Sequence, residues 1–268
     1  MNEQAQNPVV FVGAGPGDPD LITVAGRDAL EKADLVVYAG SLVSEDMLTW
    51  CRPECRTVSS AKLSLNEIIG TMAEAHGKGQ KVVRLQTGDI SLYGALPEQL
   101  AELARLEIPW RIIPGVTAAF GAAAALGLSY TLPESCQSLI FTRISGRTTM
   151  PDGESLASMA AHSCSLAIYL SAALSEEVSQ TLSLAYGPDS PIAAVQRVTW
   201  PDERIIMTTA GNLATDLAKA GIKRQALIIA GPAVAAMLSG YGGGRKSKLY
   251  DESFSHGWRQ ERPEKRDQ

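Results

Sequence analysis

Short apolar runs alternate with amphipathic stretches along most of the chain. Val9–Val12, Leu35–Tyr38, Val82–Gln86 and Trp110–Ile113 have the length and composition of buried strands. Between them, Leu21–Ala33, Leu65–His76 and Ala95–Glu107 carry apolar residues at helical spacing. Ile68, Ile69 and Met72 fall on one face of the second; Leu96, Leu100, Leu103 and Leu106 recur along the third. Asp20 is placed to cap the first helix, and Gly77 and Gly79 end the second. Pro114-Gly115 stops the fourth strand. This alternation predicts a mostly parallel sheet covered by helices.

A second alternating block follows Thr131-Leu132-Pro133. Its expected strands are Ser138–Thr142, Leu166–Leu170, Ile192–Gln196, Ile205–Thr209 and Ala226–Ala230, and its expected helices are Ser175–Leu184 and Leu213–Ala220. Ala118–Leu128 is apolar and alanine-rich but too short for a bilayer span, which predicts a buried helix. The fold class is therefore α/β, with two α/β domains and an inter-domain cleft, a common place for a ligand. The boundary falls near residues 114–135, giving domains 1–116 and 117–240 and a polar tail, 241–268. The tail opens on Gly242-Gly243-Gly244; Leu249, Tyr250, Phe254 and Trp258 are expected to anchor it as far as Arg259.

Composition narrows the classes. With 268 residues, 45% of them hydrophobic, the chain can fill sizeable cores. A net charge of -5 disfavours a nucleic-acid partner, and no apolar run suits a membrane. Met1–Pro8 lacks the basic start and apolar core of a secretory signal, so the expected compartment is the cytoplasm. Cys51, Cys55, Cys136 and Cys164 do not make two close pairs, and His76, His162 and His256 are scattered. Neither set has metal-ligand spacing, so reduced thiols and no metal site are expected.

The chemistry gathers in loops that follow strands: Gly13–Pro19, Thr87–Gly94 and Pro114–Ala118. Parallel strands present their carboxyl ends at one edge, so these loops should converge. The first resembles a dinucleotide loop but has Asp18 at the third glycine position, and Pro16 has no N–H to offer a phosphate. A nicotinamide-dependent oxidoreductase is therefore disfavoured. A nucleotide-like ligand without phosphates, held by backbone groups, fits better.

VGAGPGDPDLITVAG (from Val12), RLQTGDISLYG (from Arg84) and IPGVTA (from Ile113) resemble successive motifs of the tetrapyrrole methylase family. The later segments LAIYLSA, AAVQRVTWPDERI and ALIIAGPAV are similar to it as well, so the likeness runs along most of residues 9–232. VVYAGSLVSEDML lacks the Asp-x-Leu-Val form of the uroporphyrinogen-III enzymes, and KSKLYDESFSHGWR is similar to the tail of a branch acting on precorrin-type rings. The resemblance implies a homodimer that moves a methyl group from S-adenosylmethionine to a tetrapyrrole carbon. By motif match it implies that Pro16, Gly88, Asp89, Leu92, Thr117, Ala118, Tyr169 and Leu170 hold the cofactor, with a contact near Val198. Asp89, Tyr93 and Ser41 are the candidate catalytic groups, and no base role carries over to Ala39 or Gly40. Lys62, Arg143, Arg197, Lys248, Arg259 and His256 are candidates for the substrate and its carboxylates. Rival classes are a methylase acting on ribosomal RNA or a protein, and a non-enzymatic nucleotide sensor. Whether the ring carries cobalt is open, since that metal would belong to the substrate.

Overall fold

Alternation of side chains along β1 (Val9–Gly13) builds the first core, because that strand lies inside a parallel sheet and buries both faces. The computed structural model describes residues 7–241, 247, 254, 255 and 257–259. The chain divides into two units, Met1–Ala125 with Val195–Arg204, and Leu126–Ala194 with Ile205–Gln268. Division at residue 116 would put the next helix in the second unit; its contacts keep it with the first.

The first unit runs through α1 (Val24–Glu31), β2 (Leu35–Tyr38), β3 (Arg56–Ser59), α2 (Leu65–Gly77), β4 (Val82–Gln86), α3 (Leu96–Arg105), β5 (Trp110–Ile113) and α4 (Ala118–Leu126). The strands are parallel, in the order β3-β2-β4-β1-β5, with Val12 opposite Leu85 on one side and Ile113 on the other. On one face Val9, Phe11, Leu35, Val37 and Val82 pack under Ile68, Ile69 and Met72 of α2 and Leu103 of α3. On the other, Val12, Val36, Val83 and Leu85 meet Leu30 of α1 and Met47. Full burial of each large side chain contributes about 1.5–3 kcal/mol. A Ser64–Glu67 capping box starts α2.

The second unit holds β6 (Leu139–Arg143), α5 (Leu156–Ala160), β7 (Ser165–Tyr169), α6 (Ser175–Tyr186), β8 (Pro191–Gln196), β9 (Arg204–Thr209), α7 (Leu213–Lys219), β10 (Ala226–Ala230) and α8 (Pro232–Leu238). Its sheet has the order β6-β7-β10-β8-β9 and is mixed: β6 and β7 are parallel, β7 and β10 antiparallel. Alternation of strand and helix does not specify strand direction here.

Several expectations are corrected. Asp20 does not cap α1; Thr23 does, accepting from Gly26 N–H, because Pro19–Leu21 forms a separate 3-10 turn capped by Asp18. The alanine-rich helix is only half buried: Ala119, Gly121 and Ala122 face inward while Phe120 is 53% exposed. Trp258, expected as an anchor, is 98% exposed rather than buried, and Leu249 and Tyr250 lie outside the described residues. The four cysteines are free thiols, and burial pushes the Cys51 thiol up to about 12, with the neighbouring Cys55 adding to the shift. No helix among the described residues is long and apolar enough to cross a membrane.

Candidate functional site

β4, β1 and β5 are adjacent, and the loops that leave their carboxyl ends meet through backbone atoms. Gly15 and Gly88 exchange backbone hydrogen bonds, Gly88 N–H to Gly15 C=O at 2.8 Å and Gly15 N–H to Gly88 C=O at 3.2 Å. A Cβ on Gly13 would lie 2.6 Å from Gly115 N and 2.7 Å from Gly88 O. One on Gly115 would lie 2.2 Å from Gly88 O. Absent side chains thus let the loop backbones touch, which presents main-chain N–H and C=O groups to a ligand. Gly88 itself has φ +62, and a Cβ there would reach Thr117 Cα at 3.8 Å and Ala118 N at 4.0 Å.

Asp89 fastens two of these loops. Its Oδ2 accepts from Gly115 N–H at 2.9 Å. Its Oδ1 accepts from Ser91 N–H at 2.9 Å and from the Ser91 hydroxyl. Burial alone would raise this carboxyl, but the Ser91 hydroxyl and the two amides outweigh it and lower the pKa. The carboxylate is thus held ionised by its neighbours, in the geometry of a structural clasp.

The glycine loop is covered from far along the chain. Asp18 N–H donates to Thr199 Oγ1 at 2.9 Å, and Trp200 Nε1–H donates to the Pro16 carbonyl at 3.1 Å. A Cβ on Gly17 would sit 2.2 Å from the Trp200 ring, and one on Gly121 would sit 2.7 Å from Val198 Cγ1. Val198 and Pro16 thus both close on Gly121 in the first half of α4. Arg197 stacks over Trp200 at 4.0 Å and pairs with Asp202 at 2.6 Å. Trp200→Ala is expected to cost about 2 kcal/mol through the lost hydrogen bond and cation–π contact, and Trp200→Phe about half of that. Urea unfolding of the two variants measures the difference.

This loop does not cradle a phosphate. Trp200 fills the space beside Gly17, Pro16 has no amide hydrogen, and α1 begins only at Val24, well past the glycines. The donor set fits a phosphate-free nucleoside with an amino-acid head.

The first unit thus brings together Pro16, Gly88, Asp89, Leu92, Thr117 and Ala118 at one sheet edge. Tyr93, 43% exposed, stands on the same loop, and Ser41 is exposed after β2. Tyr169 and Leu170 belong to the second unit, at the end of β7; Tyr169 meets Phe141 edge-on, and Leu170 is left-handed (φ 54) and 68% exposed. Lys62 is exposed after β3. Arg143 is engaged locally, donating to the carbonyls of Ile144, Thr148 and Thr149 at 3.2, 3.0 and 2.9 Å. Arg197 is engaged as described, and Arg259 donates to the Phe254 carbonyl at 3.4 Å. Lys248 and His256 lie outside the described residues. Among the described residues no group of His, Cys, Asp and Glu could hold a metal ion.

Sequence reasoning missed Thr199 and Trp200 as partners of the glycine loop, and Arg84, Gln86 and Gln99 beneath the second loop. For Arg84 a signal existed: a cation inside a strand that reads as buried.

The fold and this edge define a class, and the comparisons name it. Residues 8–214 match the family described as Tetrapyrrole (Corrin/Porphyrin) Methylases, and the chain belongs to that family. It is 43% identical to a cobalt-precorrin-4 C(11)-methyltransferase of Methanocaldococcus jannaschii, over 94% of this chain and 95% of that one. It is 42% identical to a precorrin-4 C(11)-methyltransferase of Pseudomonas aeruginosa, over 94% of this chain and 98% of that one. A solved cobalt precorrin-4 methyltransferase superposes with a TM-score of 0.84 at 41% identity, covering 87% of this chain and 98% of the other. The uroporphyrin-III C-methyl transferase from Thermus thermophilus, solved with S-adenosyl homocysteine, gives a TM-score of 0.71 at 26% identity, covering 85% and 99%.

Proposed function

We propose that this chain transfers a methyl group from S-adenosylmethionine to carbon C11 of precorrin-4 in cobalamin biosynthesis, acting as a cytoplasmic homodimer. The observation that carries the reading is the crossing of the Gly13, Gly88 and Gly115 backbones, clasped by Asp89 and free of any phosphate cradle. The relatives above act on cobalt-containing and on metal-free rings at nearly equal identity, so both ring forms are substrates to assay.

When bound, S-adenosylmethionine supplies an already activated, electrophilic methyl group. The chain's part is to orient and to exclude water. Main-chain groups of Gly88 and Ala118 and the side of Thr117 hold the nucleoside, and Pro16 forms a rigid wall fixed by Trp200. Tyr169 and Leu170 keep the cofactor role that the family resemblance implies. With both Asp89 oxygens engaged, Asp89 serves as the clasp, and Tyr93 and Ser41 stay the candidate polar side chains for the ring.

Calorimetric titration tests this. S-adenosylhomocysteine is expected to bind and NAD is not; the reverse result defeats the proposal. Gly88→Val forces a β-branched residue into a left-handed backbone and toward Thr117, so affinity should fall about tenfold or more. Unchanged affinity in the folded variant removes the Thr87–Gly94 loop from the site.

A further inference from the structure

Arg84 occupies the middle of β4, is 4% exposed, and has only neutral partners among the described residues. Its Nη1 donates to the Val37 carbonyl at 3.2 Å and to Ser60 Oγ at 3.0 Å. Its Nε donates to Gln99 Oε1 at 2.9 Å. Burial holds its pKa down to about 10, so it remains a cation at neutral pH. An enclosed cation without a counter-charge is costly, and such an arrangement calls for a reason.

The reason lies one residue further on. Arg84 offers only N–H groups, so it fixes which end of the Gln99 amide faces it. The other end, Nε2, must then point away, and it donates to the carbonyls of Gly94 at 3.3 Å and Ala95 at 3.0 Å. Gln86 Nε2 also donates to the Gly94 carbonyl, at 2.8 Å, although this leaves its Oε1 buried without a partner.

The segment held this way is unfavourable in itself. Tyr93 (φ 58) and Ala95 (φ 47) are both left-handed, at about 1–2 kcal/mol for each such residue. Gly94 between them passes so close to Ile90 that a Cβ would lie 2.4 Å from its carbonyl oxygen. Backbone of this kind persists only where its surroundings over-determine it. The loop therefore has two separate fastenings: Asp89 secures residues 88–91 to Gly115, and the buried amides secure residues 93–95.

We infer that Gln99, oriented by Arg84, is a positioning residue for methyl transfer: its amide, bonded to the Gly94 and Ala95 carbonyls, holds the turn in which Tyr93 and Ala95 are left-handed and so sets the Tyr93 side chain for the reaction. The inference rests on the proposed function for the role of this loop. It separates residues that hold the cofactor from residues that shape the reaction.

Gln99→Glu tests it. A glutamate keeps an acceptor for Arg84 and gives the cation a counter-charge, so the fold is retained. It removes both N–H donors to Gly94 and Ala95. Expected are a Tm that does not fall, S-adenosylhomocysteine affinity within about twofold of the parent, and kcat lower by about tenfold or more. Backbone amides of residues 93–96 should exchange with solvent faster. Parental exchange together with parental kcat overturns the inference. So does a joint loss of Tm and cofactor affinity, which would mark a general structural role. Arg84→Met, which releases the Gln99 amide, should give the same split between kcat and affinity. If the parent protein itself fails to bind S-adenosylhomocysteine, the proposed function falls, while the exchange measurement still decides whether Gln99 holds the turn.

Discussion

Gly115→Ala is expected to lower the stability of the first unit by about 3 kcal/mol or more. The added methyl would meet Gly88 O at 2.2 Å and Gly13 C and Cα at 2.8 Å. All of these are backbone atoms in neighbouring strand ends, so no side chain can swing aside. Relief requires that β1, β4 and β5 separate where they are hydrogen-bonded to each other. The Gly115 amide would then be pulled from Asp89, and the edge proposed to hold the cofactor would open with it. The matching control is Gly70→Ala, on the exposed face of α2 with nothing within 4 Å of the new methyl. That change should stabilise by about 0.5–1 kcal/mol, since alanine loses less entropy in a helix. Chemical denaturation of both variants checks the pair; similar midpoints would show that the strand ends yield more easily than the close approach implies.

Asp89→Ala should have the second largest effect. It leaves the Gly115 amide without its acceptor at the most crowded point of the edge, and frees Ser91. The expected loss is about 2–3 kcal/mol of stability, with cofactor affinity reduced about tenfold or more. Asp89→Asn keeps a single acceptor and should fall between. The sign of the pH dependence follows from the lowered pKa. The carboxylate's contribution is fully present above the ordinary aspartate value of about 3.9. It is lost as the pH falls through the lower folded value. Binding of S-adenosylhomocysteine should thus be flat through neutral pH and weaken in strong acid, and the alanine variant should lack the part of that decline that Asp89 causes. An Asp89→Ala protein with parental affinity would show that the clasp is dispensable.

Much of the architecture was legible because short apolar runs announce strands: the buried β2, β4 and β10, and also β5, which was expected to be buried and is an edge strand with three exposed residues. Leu35–Tyr38, Val82–Gln86, Trp110–Ile113 and Ala226–Ala230 have the bounds expected from their apolar runs. Each is cut off by a glycine, a proline or a polar turn. β3 escaped notice because Arg56–Ser59 is an edge strand with three exposed residues and no apolar run. The antiparallel entry of β10 beside β7 was invisible because side-chain pattern carries no strand direction. Ala118–Leu126 misled because an all-apolar segment has no polar face to mark its outer side; small residues let Pro16 and Val198 approach at Gly121 while Phe120 faces outward. At the site, the loops could be read from glycine placement after strands. Their fastenings could not. The contact of Trp200 with Pro16 spans 184 positions, and the pairing of Gln99 with Arg84 depends on how α3 lies on β4.

The cover that Thr199 and Trp200 place on the glycine loop has a bearing on how the protein is made. All five strands of the first sheet have left the ribosome once Ile113 has emerged. Thr199 and Trp200 follow 86 and 87 residues later, a delay of several seconds at about 5–20 residues per second. Through that interval the nascent sheet carries the edge proposed to bind the ligand uncovered, with Pro16 and the inner side of Gly121 exposed. Completion of the first unit waits on synthesis of much of the second. A fragment ending at Ala125 would hold every strand of the sheet and still be an unfinished domain.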